Sequence, residues 1–224
     1  MKKILAAALM SATALSSANA AESGSNFAGA YAGMNTGLVF SKAKYKGNDS
    51  VNASQNKNNT TMPIGFQVGY MHNFDNILVG AELGLDFFMF NKKDKVDTNT
   101  NNFSYESKKK FAIELTPKAG FAVNDTTAVY GLLGFNFTQH DSKINGTFAT
   151  NHSKSQGTDC LFSVAPGIGA KFLIDDAWSV STEAKYHIGS QKKVVKATNN
   201  TTNLDLKKKE NAYDLRVRLD YKFA

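Results

Sequence analysis

Apolar and charged positions alternate through residues 211–222. Ala212, Tyr213, Leu215, Val217, Leu219 and Tyr221 are apolar, and Asp214, Arg216, Arg218, Asp220 and Lys222 stand between them. Successive side chains of a strand point to opposite sides, so this period of two assigns each residue to a face. One face suits lipid. The other carries too many ions for an ordinary packed core, and a transmembrane barrel with an ion-paired or wet lumen accommodates both.

The same alternation recurs upstream. Asp75 with Asn76, Asn124 with Asp125, and Asp175 with Asp176 supply short turn signals between alternating segments. Polar stretches over about 41–60, 91–110, 141–159 and 190–209, rich in Asn, Lys, Thr and Ser, separate the resulting hairpins and read as long, flexible loops. Eight strands follow, at 27–40, 62–74, 77–90, 111–123, 127–140, 160–174, 177–189 and 210–223. Each exceeds the roughly 9–11 residues that cross a bilayer at the usual tilt. The predicted fold is all-β: an eight-stranded, antiparallel, up-and-down transmembrane barrel. An even strand number puts both termini beside the short periplasmic turns and all four long loops outside.

Parity then sorts the side chains. Met34, Phe66, Leu83, Leu115, Leu133, Ile168 and Leu215 belong to the outward set, with Phe74, Phe121, Trp178 and Tyr221 forming a periplasmic aromatic girdle. Phe40, Phe87, Phe111, Phe137, Phe162 and Tyr213 form the outer one. The opposite parity holds the acids Glu82, Asp86, Glu114, Glu183, Asp214 and Asp220 and the bases Lys118, Lys171, Lys185, Arg216, Arg218 and Lys222. Balanced signs predict a lumen filled by ion pairs rather than a selective channel, for which a ring of one sign is expected. Pro117 and Pro166 fall inside strands, and each predicts a bulge or ladder break.

The N-terminus changes the cellular context. Lys2 and Lys3, an apolar run from Ile4 to Leu15, and Ala18, Asn19 and Ala20 predict a signal peptide over 1–20, leaving 21–224 as one barrel domain. Losing two lysines takes the formal charge from +7 to +5. Cys160 stands alone and offers no internal disulfide.

The segments FAGAYAGMNTGLVF, GFQVGYMHNFDN with ILVGAELGLDF, and DLRVRLDYKF resemble the eight-stranded outer-membrane barrel families, including the opacity-type "porin family" and the OmpA- and OmpX-like transmembrane barrels. The resemblance spans the whole mature chain. It implies residence in the outer membrane of a Gram-negative bacterium, among outer-membrane lipid and lipopolysaccharide. It also implies that Tyr221 and Phe223 serve as the signal read by the barrel assembly machinery, with Ala224 departing from the pattern by one residue.

Three function classes fit such a chain. A scaffold, surface antigen or adhesin would use its loops. A small or transiently opening porin-like channel would use its lumen, and a barrel enzyme would use a polar constellation near the outer rim. For the first, the loop lysines are informative: Lys42, Lys44, Lys46, Lys92, Lys93, Lys108, Lys109, Lys110, Lys192, Lys193, Lys207, Lys208 and Lys209 form a basic rim suited to lipopolysaccharide, acidic host glycans or host surface proteins. Nucleic acid is not expected as a partner of an exported chain. For the enzyme, His140 with Asp141 and His187 with Ser190 allow a Ser/His/Asp grouping, but His72 and His152 stand apart and no nucleophile motif or metal-ligand spacing accompanies them. The expectation is therefore a surface-exposed membrane scaffold, adhesive through its basic loops, with no catalysis, cofactor or metal.

Overall fold

The computed structural model describes residues 27–47, 54–90, 94–98, 103–148, 151–190, 192–199 and 202–223, with side chains for 27–44, 56, 58–88, 108–141, 160–190 and 208–223. The predicted leader and Ala224 lie outside them. Among the described residues ten strands run in chain order: β1 Gly29–Gly47, β2 Ser54–Phe74, β3 Ile77–Phe90, β4 Asp94–Thr98, β5 Phe103–Asn124, β6 Thr127–Phe148, β7 Asn151–Leu173, β8 Trp178–Gly189, β9 Lys192–Asn199 and β10 Thr202–Lys222.

Hydrogen-bonded neighbours follow the order β1, β2, β3, β5, β6, β7, β8, β10, and β10 pairs back onto β1. The sheet is closed, with eight antiparallel staves, as the alternation predicts. Among the described residues β4 pairs only with β5 and β9 only with β10, so they form hairpin extensions outside the ring. Closure runs in register from Tyr31 opposite Lys222 to Gly47 opposite Leu206. Closing the sheet leaves the ring without edges, which a bilayer demands of a β-structure.

The short connections have local causes. Asp75 takes the left-handed backbone conformation (φ 56°) that aspartate tolerates in tight turns. Asn124 Oδ1 accepts hydrogen bonds from the Thr126 amide (3.0 Å) and hydroxyl (3.1 Å), and Asp175 Oδ1 accepts from the amides of Ala177 and Trp178. Pro117 and Pro166 each interrupt one side of a stave only, whereas Pro63 in β2 is skipped by the β1 pairing and sits at a register shift against β3. Pro117 stands in register with Ala81 on β3, while the β5–β6 pairing skips Thr116 and Pro117. Pro166 stands opposite Leu133 on β6, while the β7–β8 pairing skips Ala165 and Pro166. At Pro117 and Pro166 the residue without an N–H pairs with one neighbour and leaves the other ladder broken, with the register intact.

The polar stretches depart from the sequence expectation. They are largely strand rather than loop. β1 continues to Gly47, β2 begins at Ser54, β6 runs to Phe148, β7 begins at Asn151 and β10 begins at Thr202. These segments lack the apolar alternation that marks a half-buried strand. Instead they inherit their pairing from the staves below, as Lys44 opposite Asn56 and Ser142 opposite Gly157 show.

Large apolar side chains point outward all round the ring, among them Met34, Phe66, Leu115, Ile168, Leu215 and Val217. Phe74, Phe121, Trp178 and Tyr221 point outward near the short turns, with Trp178 and Tyr221 in edge contact at 5.1 Å. At the other end Phe40 stands opposite Tyr213, Phe87 opposite Phe111, and Phe137 against Phe162 at 5.0 Å. Tyr213 and Tyr221 are eight residues apart, about 27 Å along a strand. The segments between these two belts are the membrane-spanning part, and the staves extend well beyond the outer belt.

The lumen and its outer mouth as candidate functional site

Inward parity places a layered polar filling inside the spanning segments. At its centre, Glu82 (β3) and Glu183 (β8) alternate with Lys118 (β5) and Arg218 (β10). Lys118 Nζ lies 2.8 Å from both Glu82 Oε2 and Glu183 Oε1, and Arg218 Nη1 lies 2.8 and 2.9 Å from the same two atoms. Tyr31 donates its hydroxyl to Glu82 at 3.0 Å and Tyr130 donates to Glu183 at 2.9 Å. Two acids, two bases and two phenols thus form a closed square, and all six residues are buried. Glycine makes room for it: a Cβ on Gly169 would meet the Tyr130 ring at 2.6 Å.

Toward the short turns, Lys171 pairs with Asp220 at 3.2 Å and lies over the Tyr31 ring, while Gln67 Nε2 donates to Asp220 at 2.7 Å. Beneath these groups the lumen turns apolar. Phe27, Tyr31, Met71, Leu78 and Ala128 pack together as a floor. Lys222 is half-buried beside this end.

Toward the outside, Arg216 forks onto Asp86 (2.9 and 3.0 Å), donates from Nε to Asp214 (2.6 Å) and reaches Asn35. A Cβ on Gly65 would overlap Asp86 Oδ1. Lys185 meets Glu114 at 2.5 Å. Every residue of the sequence-derived lumen set therefore points inward, and all but Lys222 are buried. Tyr31, Tyr130, Asn35 and Gln67 complete the network but were not in that set, although Tyr31 and Asn35 share the inward parity of Gly33 and Gly37.

Above the outer belt the lumen ends in a second ionic cluster. Glu210 Oε1 meets Lys109 Nζ at 2.5 Å, Glu210 Oε2 lies 3.1 Å from Lys208 Nζ, and His140 Nε2 stands 3.7 Å from Glu210 Oε2. Burial disfavours the charged form of Glu210, yet Lys109 and Lys208 outweigh it and hold the carboxyl well below its ordinary range. For His140 the order reverses: burial dominates, the two lysines add to it, and the imidazole is pushed below its usual value despite Glu210.

This cluster corrects the basic-rim reading at two positions. Lys109 and Lys208 are interior residues, not rim residues. A bulge between Lys109 and Phe111 leaves Lys110 unpaired with β6 and turns the Lys109 side chain inward. Lys208 follows the inward parity of Asp214, Ala212 and Glu210 because β10 continues past the segment expected to be loop. Lys42, Lys44, Lys108, Lys110 and Lys209 are exposed on the extension. The side chains of Lys46, Lys92, Lys93, Lys192, Lys193 and Lys207 lie outside the described residues.

The imagined serine grouping also rearranges. Ser190 Oγ donates to the Phe162 carbonyl at 2.9 Å, and Asp141 faces Lys110 at 3.8 Å on the exposed surface. His187 instead bridges Asp214 (Nε2, 3.1 Å) and Ser163 (Nδ1, 3.4 Å), with Asp214 already engaged by Arg216. Among the described residues no group of three or more His, Cys, Asp or Glu is placed to hold a metal. At the C-terminal end, the Phe223 amide donates to the Ala30 carbonyl at 2.9 Å and its ring meets Tyr221 at 5.6 Å.

The model of the outer membrane protein β-barrel domain matches residues 4–223. The chain belongs to that family. Its place is accordingly the outer membrane of a Gram-negative bacterium. Among solved structures it is similar to OprG from Pseudomonas aeruginosa (13% identity, 88% of this chain and 96% of that one, TM-score 0.47). Neisserial surface protein A gives 13% identity over 87% and 99% of the two chains, with a TM-score of 0.41. Ail, the attachment invasion locus protein of Yersinia pestis, gives 14% over 83% and 97%, with a TM-score of 0.38. No curated protein matches the chain.

Proposed function

We propose that this family member is a membrane scaffold and surface antigen that binds anionic polysaccharide through its basic extension, without a catalytic step. One observation carries the reading. Lys44 on β1 and Lys209 on β10 stand directly opposite each other, both exposed, four residues beyond the Phe40–Tyr213 belt. Like charges directly opposite across an antiparallel pair are destabilising, and a bound anion relieves them. The next same-parity positions on these strands are again lysines in register, Lys46 opposite Lys207, and Lys207 is opposite Lys193 on β9. Four residues past the belt is about 13 Å along the strand, the height of lipid headgroups and the inner sugars of lipopolysaccharide.

Phosphates of lipopolysaccharide and sulfated or carboxylated host glycans share the required chemistry. Retention on immobilised heparin and binding to purified lipopolysaccharide, each as a function of salt, distinguish the two sources. The Lys44→Ala, Lys209→Ala double variant weakens binding to the true partner and lowers its salt dependence. Salt-insensitive or absent binding to both removes the reading. We also read Tyr221 and Phe223 as the assembly signal. Phe223→Ala then lowers the amount of folded barrel in the outer membrane without altering the purified protein's stability much.

A further inference from the structure

On the outward face of β8, β10 and β1, side chains succeed one another in rows. Leu38, Leu215 and Ala184 stand opposite one another in one row, and two residues further out Phe40, Tyr213 and Tyr186 stand in the next. Lys42 opposite Asn211 follows, then Lys44 opposite Lys209. Six residues from Leu38 to Lys44 cover about 20 Å along a strand, so apolar groups, aromatic rings, an amide and ammonium groups follow in that order over the height of one lipid headgroup and the start of its chains.

The aromatic row is a built shelf. The Tyr186 and Tyr213 rings lie 4.8 Å apart, and Phe40 and Tyr213 are exposed beside each other. Asn211 fixes the shelf from above: its Oδ1 accepts from the Gly189 amide at 3.3 Å and its Nδ2 donates to the Tyr186 hydroxyl at 3.1 Å. That hydroxyl accepts from Asn211, so its own proton remains to be given to a ligand. Beneath the shelf the lipid face is recessed. Leu38, Leu215 and Ile168 wall a hollow whose floor includes Ala184, Ala170 and Gly131. A Cβ on Gly131 would meet nothing nearer than the Ala119 carbonyl at 3.8 Å, so the hollow is open there. A chain lying in it touches protein on its flanks as well as below, which multiplies its dispersion contacts.

The rest of the outer belt lacks this combination. Outside the Phe87–Phe111 pair, Lys110 faces Asp141 at 3.8 Å, and outside Phe137–Phe162 the next pair is Gln139 opposite Cys160. Lys44 and Lys209 instead face each other. A soluble polyanion would use only the lysines. A ligand that uses every row carries an acyl chain, a sugar ring and a phosphate in sequence. We propose that this column is a binding site for a phosphorylated glycolipid of the outer leaflet, the lipid A end of lipopolysaccharide, with an acyl chain in the recess, a glucosamine ring on the Tyr186–Tyr213 shelf and a phosphate against Lys42, Lys44 and Lys209. The proposal rests on the anion-binding reading of Lys44 and Lys209 and commits it to a membrane lipid.

The test is native mass spectrometry of the full barrel released from detergent micelles, titrated separately with lipid A, de-acylated lipopolysaccharide, phosphatidylglycerol and heparin. The expected result is a saturable one-to-one adduct with lipid A, at concentrations at which the other three leave most of the barrel free. Tyr186→Phe, which removes only the hydroxyl, weakens lipid A roughly tenfold, the loss of about one hydrogen bond to a charged group. Tyr213→Ala and the recess-filling Ala184→Phe each weaken lipid A in protein that still shows the compact unheated band on a gel. Phe87→Ala, on another part of the belt, leaves it unchanged. Lipid A held no more tightly than phosphatidylglycerol, or insensitive to Tyr186→Phe, Tyr213→Ala and Ala184→Phe alike, overturns the proposal. Heparin or de-acylated lipopolysaccharide binding as tightly as lipid A also overturns it, while leaving the anionic-polysaccharide reading standing. Failure of all four ligands to bind removes both.

Discussion

The staves run through two regions of opposite character. Between the belts, outward residues are large and apolar and nearly every inward charge has an opposite partner, from Lys171–Asp220 to Arg216–Asp86. Beyond the outer belt the same strands continue with the same pairing, but outward residues are lysine and asparagine, such as Lys42, Lys44 and Asn58. The contrast teaches that hydrogen-bond pairing passes along a stave regardless of side chain, whereas the surrounding solvent decides what each face carries. Lipid demands the oily skin, and a narrow, poorly hydrated interior demands neutralised ions.

The sharpest way to break the first region is to unbalance its central square. Arg218→Ala leaves Glu82 and Glu183 short of a partner, and a broken buried pair costs about 3–5 kcal/mol. The temperature at which the compact band gives way to the unfolded one on a gel should fall well below that of the native barrel. Next in size is the skin. Leu215→Arg puts a charge on the lipid face of the spanning segment and should cost about 2–4 kcal/mol, read by urea unfolding in vesicles, while Lys44→Ala beyond the belt changes stability by less than about 0.5 kcal/mol.

Acid should act on the second region through Glu210. Its carboxyl is held well below its usual range in the folded barrel, so the unfolded chain binds the extra proton first. The stability it contributes is therefore complete above its ordinary value and is lost as pH falls from there toward the folded value. His140, pushed down by burial, adds loss of the same sign as pH falls below the ordinary histidine value. Glu210→Gln should flatten the acid limb of a stability–pH profile. An unchanged limb would dissociate the cluster from acid sensitivity.

The spanning region was legible because both faces obey period two, and the closing Asp214–Lys222 segment displays them without a break. Strand number, the sense of each face and the charged inward set all follow from that. The extension was not legible, since its Asn, Thr and Lys carry no apolar alternation and its pairing is learned from neighbouring staves. Lys109 was hidden further by a bulge that reverses its face, which no parity count reveals. Met71 and Leu78 were missed as a floor because apolar residues on the inward parity run against the ionic filling beside them.

Planar-bilayer recording of the native protein tests the account most directly. A lumen closed by the Glu82, Lys118, Glu183 and Arg218 square over an apolar floor predicts no stable conductance in symmetrical salt. Steady single-channel current from the unmodified barrel would contradict it.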